Sequence, residues 1–257
     1  MDAKHEFLRQ LLVEAMHRQP PSFTRRDITL PTIKGKVFSA IGIRRSGKTT
    51  YLWQCLSDRL AAGAPAESLI LLGLEDDRLS GLEAADLSWL VEEYYQLNPS
   101  FRDNHTVTFL FDEIQTVSGW EGFVRRLMDT EQVEVLLSGS SAKLLSREVA
   151  TAMRGRGLEI LVHPFSFREA LRHASAEPDR DWKMLPKAAR SDLQHRLRRY
   201  LVEGGFPEAQ DLDIQNRMVL LRSYVDVVVL RDVIERHAVS NPLPLRWLQR
   251  QLLANPA

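Results

Sequence analysis

Eight consecutive residues, Gly42-Ile43-Arg44-Arg45-Ser46-Gly47-Lys48-Thr49, satisfy the pattern G-x-x-x-x-G-K-[ST]. Glycines at its ends let the backbone curl around an anion, so that successive N–H groups and the start of the following helix point at phosphate oxygens. Lys48 is then placed to neutralise the β- and γ-phosphates of a nucleotide, and the Thr49 hydroxyl to hold Mg²⁺. Average composition produces this pattern by chance in roughly one chain of this length in a hundred. The setting lowers that figure, because an apolar run precedes the motif and a helical segment follows it. Arg44 and Arg45 occupy its variable positions and face solvent or a partner.

Three further stretches carry candidate chemistry. TVTFLF at 106–111 ends in Asp112 and Glu113. Alone, such a pair is usually a helix cap or a solvated turn; beside a phosphate loop, Asp112 can reach the Mg²⁺ shell while Glu113 polarises an attacking water. VEVLLS at 133–138 leads into Ser138-Gly139-Ser140-Ser141, where a hydroxyl can sense the γ-phosphate. Ser138 is the first choice and Ser140 the second, against the alternative of a Ser-rich helix start. MRGRG at 153–157 offers Arg154 or Arg156 as an arginine finger, in cis or from a neighbouring subunit. Arginines on an exposed turn are more often solvated or paired with a carboxylate.

Weaker signals have plainer readings. Glu75-Asp76-Asp77 reads as helix capping; Tyr94, Tyr95, Trp120 and Phe123 read as core; Cys55 reads as a small buried hydrophobe. Arg196, Arg198 and Arg199, next to Tyr200, form the best stretch for nucleic-acid contact, although a solvated amphipathic helix face explains the same run.

The elements that position these residues follow from periodicity. Apolar spacing over 5–17 predicts an amphipathic helix, followed by an irregular Pro- and Thr-containing lead-in. Five short apolar runs, at 37–41, 69–74, 106–111, 133–138 and 158–162, predict strands. Helix-length segments separate the first four, so the class is α/β with a parallel sheet. Beyond about residue 164 the strand signal stops, and helices are predicted near 166–174, 188–203 and 216–237. A final segment has helical spacing at Leu245, Leu248, Leu252 and Leu253 but lasts only a few turns, as expected of a piece of a longer protein.

Composition narrows the function classes. The 257 residues carry 34 basic and 34 acidic side chains, which argues against a polycationic nucleic-acid coat or an acidic tail. A single cysteine excludes a disulfide scaffold or a cysteine-cluster metal site, and the seven histidines show no ligand-like pair. There is no basic n-region followed by an apolar run at the start, and the longest apolar stretch, 225–230, is too short for a membrane span. A cytoplasmic protein without membrane contact is expected.

The stretches GIRRSGKTT, LEDDRL, FDEIQTVSGWE, LLSGSSAKLLS, MRGRG, HPFSFREAL and YLVEGGFPEA, followed by SYVDVVVLRDVIER, together resemble the prokaryotic AAA-type P-loop ATPases that carry a C-terminal domain of unknown function. The first motifs are shared by much of that superfamily; the pairing of HPFSFREAL with EGGFPEA is more particular. The resemblance implies an additional-strand P-loop NTPase sheet in the order 5-1-4-3-2, with a C-terminal helical lid. The implied organisation is an ATPase core over 1–163, a lid over 164–240 and the start of a further region over 241–257. It also implies ATP and Mg²⁺ as ligands. Gly42, Gly47, Lys48, Thr49 and Thr50 would hold phosphates and metal, Asp112 the metal and Glu113 the attacking water, with Ser138 or Ser140 sensing. Partners expected alongside ATP and ADP are a second copy, a protein or a nucleic acid.

Overall fold

The computed structural model describes residues 3–140, 153–228, 234 and 239–255, with the backbone alone at Ser140 and Leu253. Among the described residues, five strands form one sheet: β1 (Val37–Gly42), β2 (Leu69–Gly73), β3 (Val107–Asp112), β4 (Val133–Ser140) and β5 (Gly157–Leu161). Their order is β2-β3-β4-β1-β5, and every neighbouring pair is parallel. Read from the other edge this is 5-1-4-3-2, the P-loop NTPase order with the extra strand between β1 and β3.

Period-two alternation divides the strands between two cores. Val37, Ile41, Ile70, Leu72, Val107, Phe109, Phe111, Val135 and Leu137 face one cluster, which also holds Leu8, Leu12, Leu90 and Phe123. These last come from α1 (Ala3–His17), α3 (Ala84–Leu97) and α4 (Trp120–Thr130). The intervening residues Phe38, Ala40, Leu71, Leu110 and Leu136 face the second cluster with Tyr51, Leu52 and Leu56 of α2 (Lys48–Ala61). Lead-in residues Phe23, Ile28 and Leu30 pack on its margin. Burying side chains such as Phe109 and Phe111, both fully enclosed, contributes roughly 1.5–3 kcal/mol each relative to exposure. Tyr94, Tyr95, Trp120 and Phe123 lie in the first core and Cys55 in the second, as their spacing predicts.

Helices α5 (Phe167–His173) and α6 (Lys187–Glu203) follow the sheet. The chain separates into two compact units, Met1–Pro207 and Glu208–Ala257, so the helices predicted beyond 164 fall on both sides of the division. The second unit contains α7 (Ile214–Val227) and α8 (Leu243–Ala254). Asp213 caps α7 by accepting from the Gln215 and Asn216 N–H groups, at 2.9 and 3.0 Å. Part of the predicted 216–237 helix, residues 229–233 and 235–237, lies outside the described residues. Among the described residues no helix is long and apolar enough to cross a membrane.

A close backbone approach accounts for the HPFSFREAL and EGGFPEA pairing. The Phe165 N–H donates to the Gly205 carbonyl at 2.7 Å, and the Tyr200 hydroxyl donates to the Phe165 carbonyl at 2.7 Å. A Cβ built on Gly205 would collide with the Phe165 backbone, so only glycine fits.

Candidate functional site

β1 ends at Gly42, where the chain passes so close to the Val162 carbonyl that a Cβ would collide with it. The loop then turns through Arg45, at φ 63°, and Gly47, at φ 97°, before α2 begins at Lys48. The left-handed conformation of Gly47 costs an L side chain strain, which explains glycine at this position. Ile43 and Arg45 are exposed, Arg44 is partly exposed, and Gly42, Ser46 and Lys48 are buried. The Ser46 hydroxyl is fully enclosed with no hydrogen-bond partner in the protein, a polar atom left for a ligand or water. Lys48 lies back along the loop, its ammonium donating to the Gly42 and Ile43 carbonyls at 3.2 Å each. Thr50 is the third residue of the helix, partly exposed.

The α2 face of the sheet brings the second motif to the first. Asp112, the last residue of β3, accepts a hydrogen bond from the Thr49 hydroxyl at 2.7 Å across 63 residues of sequence. A carboxylate and a hydroxyl converging at one point are hard oxygen donors that suit Mg²⁺, which keeps several waters and borrows substrate phosphates. Among the described residues no group of three or more His, Cys, Asp or Glu could hold a metal alone, so an all-protein cage is not what is built.

Glu113 follows in the left-handed region, φ 57°, which ends β3 abruptly and turns the side chain away from the strand alternation. Its side chain accepts from the Gln115 amide. Burial raises its carboxyl above the ordinary carboxylate range; the Asp112 and Glu75 charges push the same way, while Gln115 and the Lys48 ammonium oppose. A raised carboxyl beside a phosphate loop has the character of a general base.

Ser138 is fully buried on β4 beside Asp112. Its hydroxyl donates to Asp112 and accepts from the Glu113 N–H at 3.2 Å, so it braces the acidic turn. Ser140 pairs in register with Gly42, at the mouth of the loop, while Ser138 pairs with Ala40 two residues further down. The side chain of Ser140 and all of Ser141 lie outside the described residues.

Arg154 and Arg156 are not brought to this site. They precede β5, whose first residue pairs with Val37 at the amino end of β1, opposite the loop. The Val37 N–H donates to the Arg156 carbonyl at 2.9 Å, and the Arg156 guanidinium pairs with Asp129 at 2.5 Å. Arg154 is exposed at φ 48°. A finger in cis from either residue is therefore corrected: a sheet's length, roughly five residues at 3.3 Å each, separates them from their own loop. Asp76 caps the short turn Asp77–Leu79 by accepting from the Arg78 N–H at 3.0 Å, the structural reading of the acidic trio. On α6, Arg196 pairs with Asp192 and Arg199 with Glu203, each at 2.8 Å and one helical turn apart, and Arg198 is exposed.

Sequence reasoning missed a buried pair behind the loop. Arg26 in the lead-in and Glu169 on α5 are each 4 % exposed and meet at 3.0 Å. The available signal was the S-x-x-E capping box, Ser166 to Glu169, which accounts for only one of the three hydrogen bonds that carboxylate accepts. Gln115 was likewise unread, although it lies in the same FDEIQ stretch.

With this geometry established, similarity to known proteins is informative. The family described as "AAA domain" matches residues 34–171. An uncharacterized protein of Methanocaldococcus jannaschii is 33% identical over 229 residues, covering 89% of this chain and 48% of that protein. An uncharacterized protein of Haemophilus influenzae is 32% identical over 201 residues, covering 78% and 46%. The chain thus spans about half the length of the curated relatives it matches. Among solved structures, the Aeropyrum pernix ORC1 protein in complex with DNA aligns with TM-score 0.40 and 15% identity, over 99% of this chain and 72% of that one. AMPPCP-bound DnaA from Aquifex aeolicus aligns with TM-score 0.39 and 13% identity, over 93% and 65%. Overlaps this loose transfer neither neighbour's ligands to this chain.

Proposed function

The chain belongs to the AAA domain family, and from that premise we propose that it binds ATP with Mg²⁺ on the loop Gly42 to Thr50 and hydrolyses it. The observation that carries this reading is the Thr49 to Asp112 contact, which joins the phosphate loop to the end of β3 at one point. Backbone N–H groups of Gly42, Ile43, Arg44, Arg45, Ser46 and Gly47 would line the phosphates, and Lys48 would swing from the loop carbonyls to the β- and γ-phosphate oxygens. Thr49 and Asp112 would hold Mg²⁺, which would supply neutralisation of the phosphate charge. Glu113 would take a proton from the attacking water. Ser138 would keep Asp112 and Glu113 in register and sense the γ-phosphate through them, with Ser140, whose backbone pairs with Gly42, the second candidate for sensing. Movement of the helices beyond residue 164 would be the output.

The test combines nucleotide binding and turnover. Lys48→Ala is expected to weaken MgATP binding by about a hundredfold, and Glu113→Gln to bind normally while turnover falls about a thousandfold. Undiminished hydrolysis by Glu113→Gln would remove the assigned base.

The position of Arg154 and Arg156 favours a second reading, a nucleotide-gated switch with little hydrolysis until a second copy supplies a cation in trans. Turnover that rises faster than linearly with protein concentration distinguishes it from independent catalysis. The in-helix ion pairs of Arg196 and Arg199 give a nucleic-acid-dependent motor no support.

A further inference from the structure

The back of the phosphate loop is gripped by a side chain to which the mechanism above gives no task. Arg26 donates from Nη1 to the Ser46 carbonyl at 2.9 Å and from Nη2 to the His163 carbonyl. Its Nε donates to Glu169 Oε1 at 3.0 Å. Its own backbone is clamped by Gln54 of α2, which accepts from the Arg26 N–H at 2.7 Å and donates to the Arg26 carbonyl at 3.1 Å. The Phe165 ring lies 5.1 Å from the guanidinium carbon. Glu169 is as firmly held, accepting from the Asp27 N–H at 2.7 Å and the Ser166 N–H at 2.8 Å. Burial alone would raise the Glu169 carboxyl, but those two N–H groups and Arg26 hold it below the ordinary range.

Burying a guanidinium and a carboxylate is costly unless every group is satisfied, and here three arms of one planar fork reach three separate elements. The Ser46 contact has a geometric consequence. In a trans peptide the carbonyl and the following N–H point to opposite sides, and the described chain has no cis bonds. Holding the Ser46 carbonyl outward therefore turns the Gly47 N–H inward, to the side where an anion would sit. Arg26 packs closely on Gly47, since a Cβ there would lie 3.1 Å from the Arg26 Nη1 atom.

We propose that Arg26, anchored by Glu169, is a positioning residue for anion binding: it fixes the Ser46–Gly47 peptide so that its N–H faces the phosphates, and it ties the loop to α5. The inference rests on the phosphate-binding reading of the loop, but not on ATP being the nucleotide or on hydrolysis. A lysine at position 26 would keep the charge beside Glu169 and lose the fork that spans Ser46 and His163.

Binding of MgATP and, separately, of inorganic pyrophosphate is measured calorimetrically for the wild type, Arg26→Lys and Glu169→Gln, at a temperature where each shows native circular dichroism. Arg26→Lys is expected to weaken both ligands about tenfold, with a smaller loss for Glu169→Gln. A purely structural role lowers the melting temperature and leaves the affinity of the folded protein unchanged, and that result overturns the proposal. In the wild-type protein, which avoids any folding defect, the Gly47 amide proton resonance should move on adding pyrophosphate; an unmoved resonance also overturns it. Pyrophosphate binding without ATP binding would reject the nucleotide and leave the Arg26 comparison intact. Failure of the wild type to bind either would sink both.

Discussion

The two ends of the same parallel sheet are built from opposite materials. At the carboxyl end, Arg26, Ser46, Lys48, Asp112, Ser138 and Glu169 are all buried, and most bond to one another or to the loop backbone. At the amino end, among the described residues, the ion pairs are at least partly exposed: Arg156 with Asp129, and Arg102 with Glu92 and Glu131. Exposed pairs contribute about 0–1 kcal/mol each, whereas a buried charge costs several unless it is fully paired. A chain gains no stability by gathering such groups at one end. Their concentration there is the mark of a site, and the amino end is the internal control.

The largest difference between the ends should appear at two glycines. Gly155, before β5, has φ 73° and open space where a Cβ would go. Gly205 supports the carboxyl end, and a Cβ there would strike the Phe165 backbone, which no rotamer can relieve. Gly155→Ala is expected to cost about 1 kcal/mol, from backbone strain alone. Gly205→Ala should cost about 3 kcal/mol or more, through overpacking against main chain. Urea denaturation of both variants measures the contrast, and equal losses would break it.

A subtler difference lies in pH dependence within the carboxyl end, where two buried glutamates shift in opposite directions. Glu169 is depressed in the folded protein, so its contribution to stability is present above the unfolded value, near 4.5, and is lost as pH falls through the lower folded value. Glu113 is raised, so its basic form, and with it turnover, should disappear at a pH above 4.5, before the Glu169 contribution is lost. Activity should therefore fail on the acid side while the protein is still folded. A rate profile and a melting profile over the same pH series test the order; coincident losses would mean that Glu113 does not set the rate. Glu113→Gln should lose the acid limb of its residual rate.

Much of this was legible in the sequence, for identifiable reasons. Strand alternation and short connections are local signals, so all five strands fell where the apolar runs predicted. The loop motif is contiguous, and Asp112 follows from its place at the end of β3. The Arg26 to Glu169 contact spans 143 residues and has no period, so the chain alone gives no way to pair them. The position of Ser138 at the end of β4 is legible, but the direction of its hydroxyl depends on a neighbouring strand, where it meets Asp112. The in-cis reading of Arg154 and Arg156 can be excluded from chain order alone, while the in-trans reading stays open. In a parallel sheet, residues that precede a strand lie at the end opposite to those that follow one, and MRGRG precedes β5 while GIRRSGKT follows β1.

Arg156 and Asp129 are both substantially exposed, so removing their ion pair by Arg156→Ala should cost no more than about 0.5 kcal/mol of stability. At dilute protein it should leave ATP turnover unchanged, because no geometry lets Arg156 reach its own loop. The only route by which the amino end can enter the chemistry is through another copy, placed so that its Arg154 or Arg156 meets this loop. In that case Arg156→Ala would abolish the concentration-dependent part of the rate and nothing else. Mixing it with the Glu113→Gln protein would then restore activity, since the base and the arginine would come from different chains. Loss of turnover at all concentrations, with no rescue by mixing, would show that the two ends are coupled within one molecule and that the division drawn here is wrong.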